Sequence, residues 1–322
     1  MRGQIILNVA DQRFAVFLGE QLEDVVKQLV ETGEATHLVE GGVLETGVST
    51  LPDLLKDATD RNRTSPFAFT GNKFEFRMVG SADSIGDPNT ILNTIVAEAF
   101  CEAADRLEGA EDFDLAVHDL IKEYMTAHQR IIFNGNGYAP EWIKEAERRG
   151  LPNLPTMLDA VETLTTEKSF ALFEKFNIFT RAELESRKDV LYETYSKTIN
   201  IEAKCMIEMS AKQIIPAEIR YASMLSEAVL RAENAGVSAT VQRGLLSKVT
   251  DELEKMQAAL VTLEEELKAA QAIKEHKTCA FYYRDHVKTA MEALRAPADA
   301  LEMLTDKDVW PIPTYGDLLF EV

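Results

Sequence analysis

Cysteine is scarce in this chain, and cations are outnumbered. Three cysteines stand among 322 residues, at Cys101, Cys205 and Cys279. They are odd in number and far apart, and no pair has metal-ligand spacing, which excludes a disulfide framework and a zinc ribbon. Each falls in a helical pattern and is expected to be a small buried apolar residue. Against 54 Asp and Glu there are 34 Lys and Arg, a formal net charge of −20. That balance argues against nucleic acid, whose backbone needs basic neutralisation, and against anionic membrane surfaces. No apolar run approaches the ~20 residues of a membrane helix. The short apolar start is broken by Asn8 and Asp11 and does not read as a signal peptide. Repeats of solenoid period and low-complexity tracts are missing too. Ser-His-Asp and Cys-His catalysis have no local signature. The expectation is a cytoplasmic protein of one large or two ordinary domains. Its 46% hydrophobic and 27% charged residues are enough for a sizeable core.

What is present begins at residues 60–77, Asp-Arg-Asn-Arg-Thr-Ser-Pro-Phe-Ala-Phe-Thr-Gly-Asn-Lys-Phe-Glu-Phe-Arg. Side chains alternate faces along a strand, so Lys73, Glu75 and Arg77 share one face and Phe74, Phe76 and Met78 the other. The apolar face can bury against a core. The charged face presents a carboxylate between two cations. A carboxylate ligates hard cations such as Mg²⁺ or Mn²⁺, and an arginine fork grips carboxylate or phosphate. Together they suit chemistry on a metal-bound phosphate. The same alternation also describes a solvated face whose glutamate balances its neighbours. Upstream, Arg61 and Arg63 fall in a polar turn punctuated by Pro66 and Gly71.

Residues 1–110 mix strand and helix signals. A buried strand at 14–18 stops at Gly19, a helix with apolar residues from Leu22 to Val30 ends at Gly33, and a helix signalled by Pro88 runs to about Leu107. Residues 111–322 read as almost entirely helical. Pro140 opens a helix that Gly150 closes, and a long helix from about Arg181 toward Arg231 should kink at Pro216. After Gly236, Leu246, Val249, Leu253, Met256, Leu260, Leu263, Leu267 and Ala270 alternate spacings of three and four, a heptad seam that suits an isolated coiled coil or, more often for one stripe on a single helix, a helical hairpin with its neighbour. A final helix covers about 279–304. The Pro311-Ile312-Pro313 tail is expected to be extended and docked, since Trp310, Tyr315, Leu318, Leu319 and Phe320 are too apolar to be left free. Asn134-Gly135-Asn136-Gly137-Tyr138 lacks the spacing of a phosphate loop and reads as a tight turn into the Pro140 helix. His37, His118, His128, His276 and His286 are scattered without ligand spacing. Glu264, Glu265 and Glu266 form a solvated helix face.

The segment 62–77 resembles the late catalytic segment of glutamine synthetase, type III branch. Residues 88–98 (Pro-Asn-Thr-Ile-Leu-Asn-Thr-Ile-Val-Ala-Glu) resemble the helix that follows it. Residues 130–138, 195–203 and 310–320 are similar to type III C-terminal landmarks. The likeness runs from about residue 14 to the end. It implies an α+β fold, with a partial catalytic α/β domain over 1–110 and a mainly helical C-terminal domain with a long helical hairpin over 111–322. By resemblance, Glu75 ligates one catalytic metal, Mg²⁺ or Mn²⁺. Arg77 contacts the glutamate substrate and its phosphorylated intermediate, and Arg63 faces the transferred phosphate. Ala68 stands where other branches carry a further arginine. The implied reaction joins glutamate and ammonia with ATP as co-substrate, in a homo-oligomeric ring. The family's N-terminal β-domain and upstream metal ligands find no counterpart, and residues 5–13 do not match the Asn-Glu-Ala-Pro flap. The chain is therefore expected to correspond to the C-terminal part of the enzyme and to be incomplete alone. The alternative is a non-catalytic assembly protein.

Overall fold

The computed structural model describes residues 15–38, 43–44, 54–55, 65–71, 73–77 and 84–320. The chain divides into two compact units, one ending at Lys188 and one beginning at Asp189. This division by compactness is separate from the boundary near residue 110 drawn from composition and resemblance.

The first unit contains β1 (Val16–Phe17), α1 (Glu20–Thr32), β2 (Val43–Leu44), β3 (Leu54–Leu55), β4 (Phe67–Phe69), β5 (Phe74–Phe76), α2 (Gly86–Leu107), α3 (Phe113–His128), α4 (Pro140–Arg148), α5 (Met157–Val161) and α6 (Glu167–Lys175). β1, β4 and β5 form a sheet in that order, with β1 parallel to β4 and β4 antiparallel to β5. A parallel bridge joins Val16 to Ile132 on the other side of β1. β2 and β3 pair antiparallel; nothing in their short segments announced them. Gly33 ends α1 in the left-handed region at φ 89°, where its N–H bonds to the Leu29 carbonyl. A side chain there would be strained, hence glycine.

Two small cores sit under these elements. Ala15, Trp142 and Ala146 are buried together, with Phe133 and Leu151 against them. The Phe133 and Trp142 rings stack at 4.1 Å, and Arg149 lies over both. Phe170, Phe173 and Leu184 form the other core, lined by Ile91 and Phe179.

The second unit takes in the later part of α7 (Arg181–Met209), then α8 (Ile215–Asn234), α9 (Thr240–Ala272), α10 (His276–Tyr282), α11 (Lys288–Glu302) and α12 (Tyr315–Phe320). α9 packs against both α8 and α11. Val249, Met256, Leu260, Leu263, Leu267 and Ala270 are buried along its seam, as the heptad spacing predicts. The disruption expected at Pro216 takes the form of a π-helical turn over Ser210–Ile214. Proline has no N–H, and its ring crowds the carbonyl four residues back, so a widened turn just before it relieves both. A second π turn, Tyr283–Val287, separates α10 from α11.

Two expectations need correction. Cys205 is exposed, and Cys101 and Cys279 are half-buried. Cys205 stands two residues from the buried Ala203 on α7, which turns it to the other side of the helix. The tail after Pro313 is helical, and Leu318 and Leu319 are exposed, so apolar composition did not dock them. α12 is set by a local cap: the Asp317 carboxylate accepts from the Thr314 N–H and hydroxyl at 2.9 and 2.8 Å.

Candidate functional site

Sheet register builds the candidate site. Phe67 faces Phe76, Ala68 faces Glu75 and Phe69 faces Phe74 across β4 and β5. Paired residues share a face, so four phenylalanines gather on one side. Phe67 stacks on Phe74 at 5.3 Å, and Phe69 lies 5.3 Å from the same ring. This apolar face is less covered than the alternation implies, since Phe74 remains 49% exposed. Met78 lies outside the described residues.

On the opposite face a row runs from Phe17 through Ala68 to Glu75. Phe17 and Ala68 are buried, so Glu75 stands at the outer end of an apolar floor. The Arg77 Nη2 and Nε donate to the same oxygen of Glu75, Oε2, at 2.8 and 3.1 Å. The other oxygen, Oε1, accepts from the Thr70 hydroxyl at 3.4 Å and lies 3.8 Å from the Lys73 ammonium. The shared face of Lys73, Glu75 and Arg77 is thus present as expected. Its backbone is pinned as well. The Arg77 N–H donates to Pro66 O at 2.8 Å, and the Thr70 N–H donates to Lys73 O at 2.8 Å.

Ion pairs this open to solvent contribute about 0–1 kcal/mol. What they fix is the orientation of the carboxylate, not the stability of the fold. Thr70 is the participant that strand alternation could not show, because it reaches Glu75 across the hairpin turn. Arg63 lies outside the described residues.

A hard divalent cation takes six or more oxygen ligands, and Glu75 is one carboxylate. Among the described residues, no group of three or more His, Cys, Asp or Glu side chains converges to hold a metal. The histidines stay apart: His118 pairs with Asp119, and His286 stacks on Tyr282 beside Glu266. The described residues therefore offer one ligand, and a complete metal centre needs others from outside them.

Asn134 has a place that turn chemistry did not reveal. Its Oδ1 accepts the N–H groups of Leu18 and Gly19 at 2.9 and 3.1 Å, and its Nδ2 donates to Glu23 on α1. The residue at the start of α1, Gly19, has no side chain to cap the helix, so Asn134, two residues after the Ile132 bridge to β1, steadies that end instead. Asn136 makes the local turn, accepting from the Tyr138 N–H at 3.0 Å. A Cβ at Gly135 would stand 2.4 Å from the Phe133 ring, so a side chain there would displace that ring from its stack on Trp142.

Residues 116–233 match the family model for the glutamine synthetase C-terminal domain. The chain is 33% identical to the type-3 glutamine synthetase of Dictyostelium discoideum over 317 residues, covering 95% of this chain and 43% of that protein. It is 36% identical to a glutamine synthetase of Butyrivibrio fibrisolvens over 311 residues, 96% of this chain and 44% of that one. With a glutamine synthetase of Bacteroides fragilis (strain YCH46) it shares 32% identity over 318 residues, 95% of this chain and 44% of the relative. The chain is a homologue of glutamine synthetases. It spans less than half the length of the relatives it matches. The resemblance read from residues 62–77 and from the C-terminal landmarks is thus shown along nearly the whole chain. Most of the matched length is helical, in keeping with the family's C-terminal domain. Among the described residues of this glutamine synthetase homologue, no helix is long and apolar enough to cross a membrane.

Proposed function

We propose that this homologue contributes to the ATP-dependent ligation of glutamate and ammonia, working in the cytoplasm within a ring of like subunits. The observation that carries the reading is the Lys73, Glu75 and Arg77 face, held at a fixed backbone register on a chain one-third identical to glutamine synthetases over nearly all its length. Arg77 is the anchor for the glutamate substrate. Its fork donates two N–H groups to the Glu75 carboxylate, the same bonding by which a guanidinium grips a substrate carboxylate. Arg63 takes the role of stabilising charge on the transferring phosphoryl group. A divalent cation, Mg²⁺ or Mn²⁺, held in part by Glu75, would supply charge neutralisation at that phosphoryl group. Lys73 and Thr70 keep the Glu75 carboxylate turned outward from the apolar row. The remaining ligands and the proton-transfer groups come from outside the described residues, so turnover depends on their being supplied.

The test is Mn²⁺- and ATP-dependent γ-glutamyl transfer by the purified chain, beside Glu75→Gln and Arg77→Ala. Transfer abolished by either change supports the reading. Transfer untouched by both removes these residues from the site. A folded, soluble sample with no transfer and no metal-dependent nucleotide binding favours an assembly role instead.

A further inference from the structure

Glu218 lies in the first turn of α8 and is fully buried, at 0% exposure. Among the described residues its carboxyl oxygens meet one hydrogen-bonding partner, the Thr305 hydroxyl, at 2.8 and 3.0 Å. That hydroxyl also lies 2.7 Å from the Leu301 carbonyl. A hydroxyl has one hydrogen to give, and three acceptors surround this one. Among the described residues no cation is paired with Glu218. The seam of α9, which packs on α8, is apolar from Val249 to Ala270, and the buried side of α11 is Ala290, Leu294, Pro297 and Leu301. The titratable groups nearby are Tyr221 on α8 and Asp306 after α11, neither of which brings positive charge. An ionised carboxylate buried without a counter-charge is strongly disfavoured and takes up a proton instead.

We propose that Glu218 is carried as a neutral carboxylic acid that latches the segment after α11 onto α8, and that losing its proton to solvent releases that segment. The acid donates to Thr305 Oγ1, and Thr305 donates in turn to the Leu301 carbonyl, so each hydrogen has one acceptor. Burial pushes the Glu218 carboxyl up. A carboxyl raised in the folded state keeps its contribution at low pH. It loses that contribution as pH climbs from the ordinary glutamate range toward the raised value. The segment concerned begins at Thr305 and turns at once, with the N–H groups of Val309 and Trp310 both bonded to Asp306 O. Its far end is held separately, by Lys307 on Asp317 at 2.6 Å.

Hydrogen exchange of the full chain tests this, with protection corrected for the intrinsic pH dependence of exchange. Protection over residues 303–312 should fall about tenfold per pH unit as pH climbs above the ordinary glutamate range, once Glu218 ionises on release. Amides in the middle of α9 should stay level. Glu218→Gln keeps the shape, supplies a permanent N–H donor to Thr305 and should flatten the profile. A flat wild-type profile, or the same slope in Glu218→Gln, overturns the latch. Infrared spectra of the wild-type chain with ¹³C-labelled glutamate give a reading that does not depend on the variant folding. A protonated carboxyl band at neutral pH is expected, and its absence overturns the proposal.

Discussion

Residues 189–320 and residues 15–188 hold their helices by different means. In the later unit one long helix, α9, offers an unbroken apolar seam to α8 and α11, so neighbours in space are fixed by a pattern repeated every few residues. In the earlier unit, helices as different in length as the 22-residue α2 and the 5-residue α5 are tied to one another and to a three-strand sheet by single contacts between residues far apart in sequence. Asn134 at the start of α1, Ile132 beside Val16 and Arg149 over Phe133 and Trp142 are such contacts. A repeated seam spreads its stabilisation over many residues. A set of single contacts concentrates it, so individual substitutions should weigh more heavily in the earlier unit.

Substitutions can break or sharpen that contrast. Trp142→Ala removes the central ring of a small core and should cost about 3–5 kcal/mol, with hydrogen exchange rising across residues before 188 while the middle of α9 keeps its protection. Equal loss of protection in α9 would show the two units unfolding as one. Met256→Ala, at a fully buried seam position, should cost about 2–5 kcal/mol in urea unfolding. It should fall at the lower end of that range if the seam shares its load. Asn134→Ala leaves the start of α1 without its distant acceptor and should cost about 0.5–2 kcal/mol, seen as faster exchange at residues 18–24. The smallest effect concerns pH. Lys307, with the Thr314 N–H and hydroxyl, holds the Asp317 carboxyl down at about 2. A depressed carboxyl contributes above its ordinary range and loses that contribution as pH falls toward the folded value. Acidification should therefore loosen residues 307–320 first, and Lys307→Ala should move that loosening to higher pH in amide chemical shifts.

The same contrast decides what could be read from sequence. The seam from Leu246 to Ala270 is a local period, and so is the alternation of Lys73, Glu75 and Arg77. Both appear in the fold as spacing places them. The helix ends at Gly33, Gly150 and Gly236 were legible for the same reason. The Asn134 clamp was not, because its partners lie more than a hundred residues away and turn chemistry accounts for Asn-Gly by itself. Cys205 was misjudged because residue type favours burial while helix phase puts the side chain outside. The tail was misjudged because the Thr314 and Asp317 cap, four residues long, outweighs the apolar character of Leu318 and Leu319. Of the three site residues, Glu75 and Arg77 stand together, and Arg63 is outside the described residues. A single strand also cannot announce a metal centre whose other ligands lie elsewhere.

The two π turns have a consequence for insertions and deletions. Each fits one residue more than a regular helical turn, so every side chain downstream stands where its predecessor would in an uninterrupted α-helix, about 100° back. One stands between α7 and α8, the other between α10 and α11, and both following helices pack against α9. Removing one residue from Ser210–Ile214 should therefore restore regular winding there with Ala217, Glu218 and Tyr221 still facing inward, whereas removing one from the regular turns of α8 would swing whatever follows it by about 100°. The same holds for Tyr283–Val287 with Ala290, Leu294 and Leu301. These two short stretches each absorb one residue, so a deletion that would turn a whole helix elsewhere leaves its inward side unchanged there.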